Sequence, residues 1–85
     1  MNSYNKNFKN KLIGVLGLGL SGKAVIRYLI NKSAKIVAWD DSTKIRSKFH
    51  NISVDIKDLS IQENIKLLDL LFISPGIRPN HPIVI

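Results

Sequence analysis

Lys11-Leu-Ile-Gly-Val-Leu-Gly-Leu-Gly-Leu-Ser-Gly-Lys23 joins a short apolar run to three closely spaced glycines. Leu12 to Leu16 read as a buried strand, Gly17, Gly19 and Gly22 have the spacing G-x-G-x-x-G, and a helical pattern follows from Leu20 to Asn31. Strand, glycine turn and helix in that order favour an anion site; the alternative is a glycine turn that merely closes a βα unit. Gly17 permits the tight turn, Gly19 lets backbone N–H groups approach a phosphate, and Gly22 lets the helix sit close to the sheet. The positive end of the helix dipole then faces the ligand.

The rest of the chain repeats the alternation. In the helix, Lys23, Arg27 and Asn31 form a polar stripe, and Ala24, Val25, Ile26, Tyr28, Leu29 and Ile30 make a wide apolar face suited to packing on a sheet. Ser21 is a candidate cap for it. After a turn at Asn31 to Ala34, Lys35 to Trp39 read as a second strand, ending at Asp40-Asp41-Ser42-Thr43. Asp40 lies at the strand tip, about 20 residues past the glycines, where dinucleotide folds hold a ribose. Asp41 or Ser42 can instead cap a short helix over Thr43 to Phe49. A third strand is expected at Ile52 to Asp55. A helix is expected at Ser60 to Leu68, with Ser60 and Glu63 in capping-box spacing. A fourth strand spans Asp69 to Ser74 and leads into Pro75-Gly76-Ile77.

Pro82 suits the first turn of another helix, and the apolar ending Ile83 to Ile85 reads as an interrupted element, so a fragment of a longer protein is expected. The polar, Asn-rich residues 1–10 read as a lead-in, and 11–85 as the domain. The fold implied is α/β: a Rossmann-like parallel sheet with right-handed crossovers and helices on both faces. The glycine turn, Asp40 to Thr43 and Ser74 to Ile77 all fall at carboxyl ends of strands, where such sheets bind ligands.

Composition narrows the classes. The 85 residues can bury one small core. There is no cysteine, and hence no disulfide or thiolate metal site. No apolar run approaches the ~18 residues needed to cross a bilayer. The N-terminus lacks the apolar core of a signal peptide, which points to the cytoplasm. The net charge of +7 raises nucleic acid as a partner. Its lysines and arginines are scattered, however, and Tyr28, Trp39 and Phe49 do not alternate with them, so a solvated basic surface is the better reading and no nucleic-acid site is expected. His50 and His81 have no ligand spacing around them, and no metal site is expected. Gly17-x-x-x-x-Gly22-Lys23 matches a phosphate loop until its last position, where Ala24 lacks the hydroxyl that would meet magnesium. No catalytic acid/base pair is visible.

With Val15-Leu-Gly-Leu-Gly-Leu-Ser-Gly22, Asp40, Ser74-Pro-Gly-Ile77 and His81-Pro82, the chain resembles the N-terminal domain of the Mur ligases from about Lys11 to Pro82. It stands nearest the branch that adds D-glutamate to UDP-N-acetylmuramoyl-L-alanine in peptidoglycan synthesis. The resemblance implies a substrate site for UDP rather than NAD. The backbone at Leu20 and Ser21 would face the diphosphate within the turn of Gly17, Gly19 and Gly22. Asp40, with Asp41 and Ser42, would meet the uracil and ribose. Ser74, Pro75 and Gly76 would bring the fourth-strand loop to the phosphates. Where the family often has an arginine two residues past the aspartate this chain has Ser42, and Arg46 is the available substitute. The resemblance also implies that ATP, magnesium and D-glutamate are handled by later domains of the same polypeptide. This segment would then bind substrate but take no cofactor, and would not turn substrate over alone. An NAD(P)-binding oxidoreductase domain, with Asp40 on the adenosine ribose, and a non-catalytic nucleotide sensor are the competing readings.

Overall fold

The computed structural model describes residues 8–75. Gly76, His81 and the helix expected at Pro82 lie outside them. The elements run β1 (Leu12–Leu16), α1 (Leu20–Asn31), β2 (Lys35–Trp39), α2 (Thr43–Lys48), β3 (Val54–Ile56), α3 (Gln62–Ile65) and β4 (Leu70–Ile73). The strands form one four-stranded parallel sheet in the order β3-β2-β1-β4. The chain steps outward from β1 to β3 and then crosses back to the far side of β1, so the order reverses between β1 and β4. This is the Rossmann-like α/β arrangement.

Period-two alternation divides the core. Ile13 and Val15 of β1, with Ile36 and Ala38 of β2, face Leu18, Ile26 and Leu29, while Phe8 and Phe49 pack at the margin. Leu16 and Val37 point to the other face, where Leu59 is buried and Leu12, Trp39, Leu68 and Leu71 pack against it. The crossover carrying α3 lies so close to the sheet that a Cβ on Gly14 would sit 2.6 Å from Leu68 Cδ1. The far edges of the strands are tied as well. The Asn10 N–H donates to the Ser33 carbonyl, the Lys35 N–H to Lys11, and the Leu12 N–H to the Asp69 carboxylate at 2.8 Å.

Three local expectations are corrected. The helix α1 buries only Gly22, Ile26 and Leu29, and its first turn has no side-chain cap, so Ser21 does not cap it. Tyr28 stays more than half exposed, with its ring edge-on to Phe8 at 6.2 Å. The third strand begins at Val54 rather than Ile52 because Asn51 closes a turn: its side chain accepts from the Ser53 N–H and its carbonyl from the Val54 N–H. No capping box forms at Ser60. The Ser60 hydroxyl and N–H both donate to Asp58 Oδ1, and the helix is only Gln62–Ile65.

Candidate functional site

Beyond Leu16 the backbone turns at Gly17 with φ of 103°, a conformation that disfavours any side chain. The Gly17 N–H donates to the Trp39 carbonyl at 2.7 Å, continuing the β1–β2 ladder past the end of the strand. The side chain of Leu18 plugs into the core. Gly19 is the N-cap of α1, and the Lys23 N–H donates back to its carbonyl at 3.0 Å. A Cβ on Gly22 would lie 1.8 Å from the Gly17 carbonyl oxygen, so the first turn of the helix rests directly on the turn backbone. Gly19 is different. Its φ is −75°, open to any residue, and a Cβ there would meet nothing within 4 Å.

The N-terminus of α1 therefore faces open space. It has no acidic residue in its first turn and no capping side chain. A helix leaves its first N–H groups without partners inside the helix, and among the described residues no acceptor meets those of Gly19, Leu20 or Ser21. Lys23, one turn along, is exposed and adds a cation. These partial and full positive charges suit an anion.

The tip of β2 is bonded into this turn. Asp40 Oδ2 accepts from the Leu18 N–H at 2.9 Å and Oδ1 from the Ser42 N–H at 2.9 Å. Ser42, not Asp41, caps α2: its hydroxyl oxygen accepts from the Ile45 N–H at 3.2 Å. Asp41 Oδ1 accepts from Trp39 Nε1 at 2.9 Å. On the other side of β1, the Ser74 N–H donates to the Leu16 carbonyl at 2.9 Å. Ser74 is buried and Pro75 exposed. The glycine turn, the tip of β2 and the start of the fourth-strand loop at Ser74 thus lie at one end of the sheet, at the reversal of strand order.

Sequence reasoning missed two things. The first is the bond from Asp40 to the glycine turn. The signal for it was the parallel register, which places Leu16 beside Trp39 and so sets Asp40 level with the turn. The second is the part played by α2. A cavity of about 220 Å³ beside the turn is lined by Leu18, Gly19, Leu20 and Lys23 and closed by Ile45, Lys48 and Phe49. Leu20, read only for its backbone, is almost wholly exposed at its mouth.

Fold and site together define a Rossmann-like α/β domain with a glycine turn at its switch point. Residues 11–85 match the family model of the Mur ligase MurD-like N-terminal domain, and the chain belongs to that family. A UDP-N-acetylmuramoylalanine--D-glutamate ligase from Acetivibrio thermocellus is 38% identical over 89 residues, covering 96% of this chain and 19% of the ligase. A protein of the same name from Paramagnetospirillum magneticum is 40% identical over 74 residues, covering 87% of this chain and 16% of its own. The chain thus spans about a fifth of the length of these curated relatives. Among solved structures, D-2-hydroxyisocaproate dehydrogenase superposes with a TM-score of 0.71 at 26% identity, over 93% of this chain and 23% of the dehydrogenase. Among the described residues no helix is long and apolar enough to cross a membrane.

Proposed function

We propose that this chain holds the UDP end of UDP-N-acetylmuramoyl-L-alanine, as the substrate-binding domain of an ATP-dependent ligase that adds D-glutamate in cytoplasmic peptidoglycan synthesis. The observation that carries the proposal is Gly19. Gly17 needs its positive φ and Gly22 its missing side chain, but nothing among the described residues explains why position 19 lacks one. A diphosphate approaching the N–H groups of Leu20 and Ser21 would explain it, because it needs the space that a side chain would take. The kinship with proteins named for a UDP-linked substrate supplies the nucleotide.

In this reading Asp40, Asp41 and Ser42 face the uridine, and Ser74, Pro75 and Gly76 approach the phosphates from the fourth strand. No residue of the chain is catalytic. The ATP cradle and magnesium ligands belong to other domains of the same polypeptide, and this segment alone binds without turnover.

The likeness to a dehydrogenase favours a second reading, in which the same turn holds a dinucleotide. Calorimetry on the 85-residue chain with UDP-N-acetylmuramoyl-L-alanine and with NADH separates the two. Tighter binding of the UDP-sugar is expected, and tighter NADH binding would reverse the assignment. Gly19→Val should leave the circular dichroism spectrum and Tm within a few degrees of the parent, since its side chain enters open space, and weaken UDP-sugar binding at least tenfold. Undiminished binding by that variant would refute the placement of the diphosphate.

A further inference from the structure

We propose that Arg46 is a positioning residue for the glycine turn, holding the tip of β2 so that the Asp40 carboxylate stays on the Leu18 N–H. Arg46 is six residues beyond Asp40, on α2, yet its Nη1 donates to the Asp40 carbonyl; the bond is 2.6 Å long. Nη2 donates to Thr43 Oγ1 at 3.2 Å. The guanidinium carbon lies 4.0 Å from the centre of the Trp39 ring. Two directed N–H donors and a flat cation on an indole face fix the group in orientation as well as position.

Trp39 and Asp40 are the residues from which the glycine turn hangs. The Trp39 carbonyl accepts from the Gly17 N–H and the Asp40 carboxylate from the Leu18 N–H. The indole is held at its other end by the bond from Nε1 to Asp41. Arg46 therefore braces both residues through groups the turn does not use, the Asp40 carbonyl and the Trp39 ring. A loose tip would let the carboxylate leave Leu18, and the N–H groups just beyond, at Leu20 and Ser21, would lose their fixed direction. The brace itself needs no ligand. Only its effect on nucleotide affinity rests on the function proposed above.

Site-resolved amide hydrogen exchange on the ligand-free chain tests the brace. Arg46→Ala should speed exchange of the Leu18 amide at least tenfold relative to amides in the centre of β1. It should also shift the emission of Trp39, the only tryptophan in the chain. Arg46→Lys keeps the charge but cannot make both bonds and the stack, and should resemble Arg46→Ala at Leu18. Wild-type protection of Leu18 in either variant, or acceleration no greater than at the β1 amides, would overturn the proposal. For function, Arg46→Ala should weaken UDP binding about tenfold. Combined with Asp40→Asn, it should lose no more than the weaker of the two single variants, because both act through one chain of contacts. Additive losses would also overturn it. If the parent chain failed to bind UDP, the function proposed above would fall, and the Leu18 amide would still decide the role of Arg46.

Discussion

Gly22→Ala is expected to destabilise the domain by about 3 kcal/mol or more, at the upper end of what overpacking costs. The added Cβ would lie 1.8 Å from the carbonyl oxygen and 2.9 Å from the carbonyl carbon of Gly17. Both are backbone atoms, so no rotamer change relieves the overlap. Gly17 cannot easily retreat either, because its N–H is bonded to Trp39 and its φ is already in the left-handed region. Helix α1 must move off the sheet, taking Ile26 and Leu29 out of the core they share with Ile13 and Val15. For a chain of this size that loss corresponds to a fall in Tm of roughly 12–24 °C. Thermal unfolding followed by circular dichroism measures it. Gly19→Ala is the control: its Cβ meets open space at an ordinary φ, and the change should stay within about 0.5 kcal/mol. A Tm for Gly22→Ala within a few degrees of the parent would show that the helix does not rest on the turn as described.

The elements nearest the glycine motif were legible because several signals agreed there. Strand β1, helix α1 and strand β2 fall within a residue of where run length, periodicity and the glycines put them. Farther along, short-range hydrogen bonds overrode spacing. Ser60 and Glu63 have the spacing of a capping box, but Asp58, two residues earlier, offers the Ser60 hydroxyl a 2.6 Å partner, and the cap is lost to it. Ile52 looks like a strand residue by composition, yet the Asn51 turn leaves it fully exposed and pushes the strand on to Val54. The sequence places Asp40 near the glycines but does not show which N–H groups its carboxylate takes. Counting positions gives its distance from the glycines along the chain but not the direction of its carboxylate. That direction depends on pairing between strands 23 residues apart, with Leu12 beside Lys35 and Leu16 beside Trp39. Its connection to Arg46 through α2 is likewise invisible to spacing, because it depends on where a six-residue helix places one guanidinium.

The two bonds that the Asp40 carboxylate accepts decide what Asp40→Ala should do. As a purely ribose-binding residue, Asp40 would matter to uridine and not to pyrophosphate. In the structure its two oxygens hold the Leu18 and Ser42 N–H groups. Bonds to a charged acceptor are each worth about 1.5–3 kcal/mol. The Leu18 N–H lies between Gly17 and Gly19, with its side chain wholly buried, and no other acceptor among the described residues takes it. Removing the carboxylate is therefore expected to cost about 2 kcal/mol of stability, some 8–16 °C in Tm, and to loosen the turn whose N–H groups would meet the phosphates. UDP binding should fall at least tenfold, and binding of inorganic pyrophosphate should fall with it. Asp40→Asn keeps one oxygen acceptor and should lie between the parent and Asp40→Ala on both measures. Titration calorimetry with UDP, uridine and pyrophosphate, run on variants shown to be folded at the working temperature, gives the comparison. If pyrophosphate bound Asp40→Ala as well as the parent while uridine binding collapsed, the carboxylate would serve the nucleoside alone, and its bond to Leu18 would have no part in shaping the phosphate end of the site.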